Sequence, residues 1–222
     1  MLTKSGWFTA TAIALLIIAS GLTVYLIYPF AFLILGSLVS KLNPKNEDNS
    51  GRTSMQVIAN SGIAGLISFL YLLTQDPIFL VAFVVSFSVA FSDTFSSEIG
   101  KKYGGHPVSV CSLKPIQKGL SGGITLIGTF AGLIGSLCVS CVYFLHQHDL
   151  NNTLIILMFG FGGMLIDSMI GCAFQAKYVN QENVVETGIR DHLKSGFHFI
   201  DNNMTNFLSI LITVLVYLVL FE

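Results

Sequence analysis

Charge is what this chain has least of. Only 10% of its 222 residues are charged and the formal net charge is −1, whereas a soluble domain carries about 25% charged residues. So small a charged fraction excludes a fold kept in solution by its own surface. So even a balance excludes the basic patch that nucleic acid requires, and no nucleic-acid partner is expected. Cysteine is scarce too: Cys111, Cys138, Cys141 and Cys172. Cys138 and Cys141 form a C-x-x-C inside an apolar run, without a second ligand pair or a thioredoxin-like context, so they read as small apolar helix residues. His146 and His148 read as loop histidines. The start of the chain resembles a signal peptide, with Lys4 before an apolar stretch, but lacks a small-x-small cleavage site, so an uncleaved first helix is expected.

What is present in abundance is apolar: 53% hydrophobic residues and a mean hydropathy of +0.74. Lipid must cover part of that surface. Apolar runs separated by short polar segments predict an all-α, polytopic transmembrane bundle of about six or seven helices in a single membrane domain, 1–222. The runs are 6–20, 22–39, 55–73, 77–91, 122–146, 153–176 and 204–221. A span takes about 20 residues, with ~17 as a practical minimum. Gly6–Val39 is therefore either one long bent helix or two short ones with a turn at Gly21, and Pro77–Phe91 is short enough to tilt or stop below the surface. With the N-terminus placed in the cytoplasm, all eleven Lys and Arg residues fall in inner segments. The outer loops hold none, which is the positive-inside pattern. A single crossing over Gly6–Val39 would put Lys4 on the wrong side, so two helices fit better.

A weak repeat accompanies this pattern. Ala64-Gly65-Leu66-Ile67 recurs as Ala131-Gly132-Leu133-Ile134, and each is followed, after an outer turn, by an acid and a hydroxyl residue: Asp93-Thr94 and Asp167-Ser168. The two returning helices would run the same way, as in a parallel repeat.

Three acids stand at membrane ends: Asp93, Glu98 and Asp167. Asp167 lies inside an apolar run, where a charge costs at least ~2.5–3.5 kcal/mol. It needs a partner, a metal or a wet cavity; bonding to helix hydroxyls is the structural alternative. Asp93 and Glu98 are five residues apart, a rotation of ~140° on a straight helix, so they converge only if the helix ends near Ser96. The segment Lys114–Gly123 combines two lysines with Gly119, Gly122 and Gly123, with Ser121 between them. Glycines let backbone N–H groups approach a phosphate, and the following helix start is electropositive. A tight turn or close helix packing would use the same residues. Asp201, Asn202, Asn203 and Asn206 precede the last helix, with more amides than a cap needs. Arg52 and Gln56 open the third helix, and Gln175 falls two helical turns beyond Asp167 on one face. All of these map to one membrane face. Acids, cations and a glycine loop together suit a Mg²⁺-bound anionic substrate.

Five segments, in order, resemble the membrane family known as domain of unknown function ninety-two: Arg52–Asn60, Ser92–Gly100, Gly119–Thr129, Gly162–Ser168 and Asn202–Asn206. Plant phytyl-phosphate kinase and animal transmembrane protein nineteen are among its members. The likeness runs from about Leu2 to the last helix. Ser92 stands where alanine is common, and an additional first helix found in many members is not expected here. The resemblance implies a CTP-dependent kinase that turns an isoprenyl monophosphate in the membrane into a diphosphate. Residues and resemblance together assign Asp93 and Asp167 to Mg²⁺ and the nucleotide phosphates, and Glu98 to the metal or the acceptor phosphate. Lys114, Lys118 and the Gly119–Gly123 backbone, with Ser121, would neutralise phosphate charge. Gln56, Asn60, Ser168, Gln175, Asn202, Asn203 and Asn206 would contact nucleotide, substrate or metal, and Arg52 the acceptor phosphate. A small-solute or ion transporter, a related lipid nucleotidyl- or phosphotransferase, and an inactive scaffold are the competing expectations.

Overall fold

A computed structural model describes residues 2–43, 51–180, 183–186 and 192–222; Lys45 and Arg190, which entered the charge argument, lie outside them. The chain folds into α1 (Lys4–Ala19), a 3-10 turn (Thr23–Leu26), α2 (Ile27–Ser40), α3 (Ser54–Thr74), α4 (Pro77–Tyr103), α5 (Leu126–Gln147), α6 (Leu150–Ala173) and α7 (Asn202–Phe221). Six segments are long and apolar enough to cross a membrane, α2 being extended by the 3-10 turn; α1 is shorter. Two small antiparallel sheets, unforeseen in the sequence, decorate one end. β1 (Val108–Ser109) pairs with β2 (Gly123–Ile124), and β3 (Lys177–Asn180) lies between β4 (Asn183–Val185) and β5 (Leu193–Ser195).

Local chemistry sets the helix ends. Gly21, at φ +80°, permits the turn that splits Gly6–Val39 in two. Asp76 caps α4 by accepting from Ile78 N, with Pro77 in the first helical position. Thr125, Asp149 and Asp201 cap α5, α6 and α7 in the same manner. Thr53 and Gln56 form a reciprocal capping box on α3. Leu2 bridges to Arg52, so α1 and α3 begin on the same side of the bundle.

One helix departs from expectation. The run 77–91 does not stop at Phe91; α4 continues without a break through Asp93 and Glu98 to Tyr103. Its apolar length is short because α4 is the axis of the bundle, packed by α2, α3, α5, α6 and α7. Every residue from Val81 to Ser92 is buried, which is how a helix apolar on all sides behaves. Tyr28, Phe83 and Phe87 interlock beside it with ring centroids 5.2–6.4 Å apart. Small residues let α5 approach: a Cβ on Gly132 would come within 3.2 Å of Ser92 O, and one on Gly128 within 2.9 Å of Ser96 O. Hydroxyls fasten the same seam. Ser92 Oγ donates to Gly132 O at 2.8 Å and Ser88 Oγ lies 3.0 Å from Ser136 Oγ, while Ser136 Oγ ties α5 to α6 by donating to Leu157 O at 2.7 Å. The fifth run also shifts. Gly122 lies in a turn and Gly123–Thr125 is extended, not helical, because Gly123 and Ile124 form β2 and Thr125 is the cap.

Candidate functional site

The ends of α2, α3, α4, α6 and α7 surround a cavity of about 890 Å³ at the end of the bundle that carries both sheets. Asp93 from α4 and Asp167 from α6 meet in it, their carboxyls within hydrogen-bonding reach of each other. Two negative charges so close demand a cation or a shared proton between them. Ser209 Oγ of α7 lies 3.0 Å from Asp167 Oδ2 and 2.9 Å from Asn206 O, so its single proton serves one or the other. Through its positive charge Lys101 acts on both aspartates. It stands eight residues after Asp93 on α4, a little over two turns along the same face.

Glu98 belongs to a second cluster. Since α4 stays helical to Tyr103, the helix end near Ser96 on which a convergence of Asp93 and Glu98 depended does not occur, and the two stay apart as expected of a straight helix. Asn43 Nδ2 instead donates to Glu98 O at 2.6 Å and to Oε2 at 2.9 Å. Arg52 faces this cluster, its guanidinium 4.7 Å from the centre of the Phe32 ring. Burial lowers the Arg52 pKa from its ordinary value, and the Glu98 charge opposes the shift. Gly36 makes room for the guanidinium, since a Cβ there would stand 2.8 Å from Nη2.

A third cluster lies at the glycine loop. Gly122 has φ +80° and packs directly on Cys172, leaving no space for a side chain. Cys172 in turn is joined to Cys111 as a disulfide, a pairing absent from the sequence reading. Ser121 N and Oγ donate to the two oxygens of Glu186 at 2.6 and 2.8 Å, and Gln175 Nε2 donates to the same carboxylate at 3.0 Å. Thr205 Oγ1 lies 3.1 Å from Gln175 Oε1 and 2.9 Å from Asp201 O, so its single proton serves one or the other. Lys177 stands close by, donating to the last carbonyls of α6, Gly171 O and Cys172 O. Burial lowers its pKa, against the pull of Glu186.

Of the residues singled out in the sequence, Arg52, Gln56, Asn60, Asp93, Glu98, Lys118, Gly119, Ser121, Gly122, Gly123, Asp167, Ser168, Gln175, Asn202, Asn203 and Asn206 line this cavity. Lys114 does not; it is exposed on the turn after β1, where its carbonyl accepts from Ser109 N. Gln175 reaches the cavity by another route than helical spacing, because α6 ends at Ala173 and Gln175 follows it, buried. Gln56 spends its Oε1 on the α3 capping box, accepting from Thr53 N at 2.9 Å. Asn60 and Asn206 face each other, with Nδ2 of Asn206 3.4 Å from Oδ1 of Asn60. The sequence reading missed Asn43, Lys101 and Glu186. Only Lys101 left a signal, its helical spacing from Asp93; Asn43 and Glu186 arrive from connecting segments, where spacing carries no information. Cys138 and Cys141 are free and exposed on α5, as their apolar surroundings suggest.

Among the described residues no three His, Cys, Asp or Glu side chains are grouped to hold a metal ion. The paired carboxylates of Asp93 and Asp167 still fit Mg²⁺, which takes one or two protein carboxylates and completes its shell with phosphate oxygens and water.

A multi-pass helical membrane protein with one polar cavity at a bundle end is the class these features define. The chain matches the family described as integral membrane protein DUF92 over residues 1–214 and belongs to it. It is similar to an uncharacterized membrane protein of Methanocaldococcus jannaschii, 34% identical over 169 residues, covering 72% of this chain and 69% of that protein. It is also similar to Protein PGR of Arabidopsis thaliana, 30% identical over 132 residues, covering 53% of this chain and 46% of that protein. No solved structure matches.

Proposed function

We propose that the chain is a membrane-embedded phosphotransferase, transferring the terminal phosphoryl group of CTP, with Mg²⁺, to an isoprenyl monophosphate. The observation that carries this reading is the Asp93–Asp167 pair in a cavity also lined by amides and hydroxyls, the cations Lys41, Arg52, Lys101 and Lys118, and the acids Glu98, Glu186 and Asp201. Its volume, about 890 Å³, lies in the range of small-molecule sites. The outer half of the bundle is filled by Phe83, Phe87 and Ile156, all fully buried. That supports chemistry at one face over a pathway through the middle, which a transporter would need. On the positive-inside argument that face is the cytoplasmic one. The α2 helix packs chiefly on α4, yet Ser37 and Ser40 line the cavity opposite Gln56 of α3. A lipid headgroup entering between α2 and α3 would therefore reach the site without leaving the bilayer.

Asp93 and Asp167 would hold the cation, which would supply positive charge to offset that of the phosphates. Lys101 and Lys118 attract the nucleotide phosphates. Arg52, braced by Phe32 and Glu98, grips the acceptor phosphate. An acceptor oxygen then bonds to the terminal phosphorus as the bond from that phosphorus to its bridging oxygen breaks, and CDP leaves. No general base is required, since a phosphate monoester with a second pKa near 6 is already largely ionised at neutral pH. The test is transfer from labelled CTP or ATP to a panel of isoprenyl monophosphates and alcohols by the detergent-solubilised protein. Diphosphate should form with Mg²⁺ and disappear with chelator or in Asp167→Asn. Absence of both transfer and nucleotide binding would return the transporter to the front.

A further inference from the structure

The Ser121–Gln175 cluster has the form of an anion subsite that is already filled. Three donors converge on the carboxylate of Glu186: the Ser121 backbone N–H, the Ser121 hydroxyl and the Gln175 amide, at 2.6, 2.8 and 3.0 Å. Two of the donors are pre-set by the fold. Gln175 is 2% exposed, packed with its Oε1 3.1 Å from the Thr205 hydroxyl. Ser121 is held against Gly171, a Cβ on which would meet the Ser121 side chain at 3.0 Å. Lys177 adds positive charge from β3. A bidentate carboxylate and a phosphoryl group present similar oxygens to such donors, and both form the stronger, charge-assisted kind of hydrogen bond. Glu186 is not part of this framework. It follows β4, the edge strand of a sheet that projects from the bundle end, and it reaches the subsite from there.

We propose that Glu186 is an internal stand-in for a phosphoryl group: it occupies the subsite formed by Ser121 and Gln175, and an entering phosphate-bearing ligand must displace it. This deepens the phosphotransferase reading and rests on the cavity being an anion site. A ligand that binds only the displaced state has its apparent affinity reduced by the fraction of molecules in which the subsite is vacant. Removing the carboxylate removes that reduction.

The experiment measures inorganic pyrophosphate binding to the full-length protein in detergent, with Mg²⁺, by equilibrium dialysis. Glu186→Ala should bind at least roughly tenfold more tightly than the unaltered chain. Ser121→Ala should change affinity by under about twofold in the unaltered background, where the hydroxyl serves both competitors. In the Glu186→Ala background it should cost about fivefold, a coupling that a merely structural Glu186 would not produce. In the unaltered protein, pyrophosphate should speed hydrogen exchange at the β4 amides, a readout independent of how the variants fold. Unchanged or weaker binding in Glu186→Ala, or exchange that is unaffected or slowed, would overturn the inference. If pyrophosphate behaves as expected but no acceptor is ever phosphorylated, the inference stands and the kinase fails. Transfer with no gain in Glu186→Ala gives the reverse.

Discussion

Asp93 and Asp167 carry most of the functional argument: Asp167 interrupts an apolar run of α6, and Asp93 stands in the polar segment Ser92–Glu98 of α4. Their carboxyls meet across the α4–α6 contact, and the Ser209 hydroxyl is the nearest fixed donor to Asp167. If the pair holds Mg²⁺, Asp93→Asn and Asp167→Asn should each lower turnover by about a hundredfold or more, the scale of losing a preorganised electrostatic group. Their thermal midpoints in detergent should stay near that of the unaltered chain. Were the aspartates structural only, the midpoint would fall and turnover would follow it. Arg52 makes a sharper test, because its plane lies over Phe32 while its charge faces Glu98. Arg52→Lys keeps the charge and loses the planar fork. It should raise the KM for the acceptor by about tenfold and leave the KM for nucleotide unchanged, as measured by steady-state kinetics.

The decisive element is α4. It runs 27 residues from Pro77 to Tyr103, passing from the fully buried core straight into the cavity wall, so core packing sets the position of the catalytic candidates. The α5 helix locks it through glycine contacts at Gly128, Gly132 and Gly135. Gly132→Val would drive a branched side chain against Ser92, Ser96 and Met164. Overpacking of that kind costs about 1–3 kcal/mol. It should lower the thermal midpoint and, because Ser92 precedes Asp93, activity as well. The matching Gly65 of the proposed repeat is less crowded, a Cβ there meeting its nearest neighbour, Ile13 of α1, at 3.5 Å. Gly65→Val should therefore cost less stability than Gly132→Val and spare turnover, and equal losses would contradict this account of α4.

For the whole molecule, the side of the membrane on which the cavity opens is the question that sequence charge answers and helix geometry does not. Connections on the cavity side carry the Lys and Arg residues, and the opposite turns, at Gly21, Gln75 and His148, carry none. Cys111 and Cys172 share the cavity side. A cytoplasmic face is reducing, so the positive-inside placement predicts that the Cys111–Cys172 disulfide of the structure is opened to two free thiols in growing cells. They should be alkylated by a membrane-permeant maleimide without reductant. Labelling that requires prior reduction would put the cavity on the oxidising side and remove the cytoplasmic nucleotide from the proposal.

The sequence determined much of this by itself. Seven apolar runs, their turns and caps, and the gathering of acids, cations and amides on one face are all properties of linear spacing and side-chain type. A bilayer makes such spacing unusually legible, because length and polarity alone decide what can cross it. The true reach of α4 was not legible, since an apolar count ends at Phe91 while a helix ends only where its packing and caps end. Nor were the contacts between distant segments: Asn43 on Glu98, Cys111 with Cys172, and Glu186 in the grasp of Ser121 and Gln175. Each joins residues whose separation along the chain follows no helical or strand period. Only the folded bundle, by fixing where its connections land, brings them together.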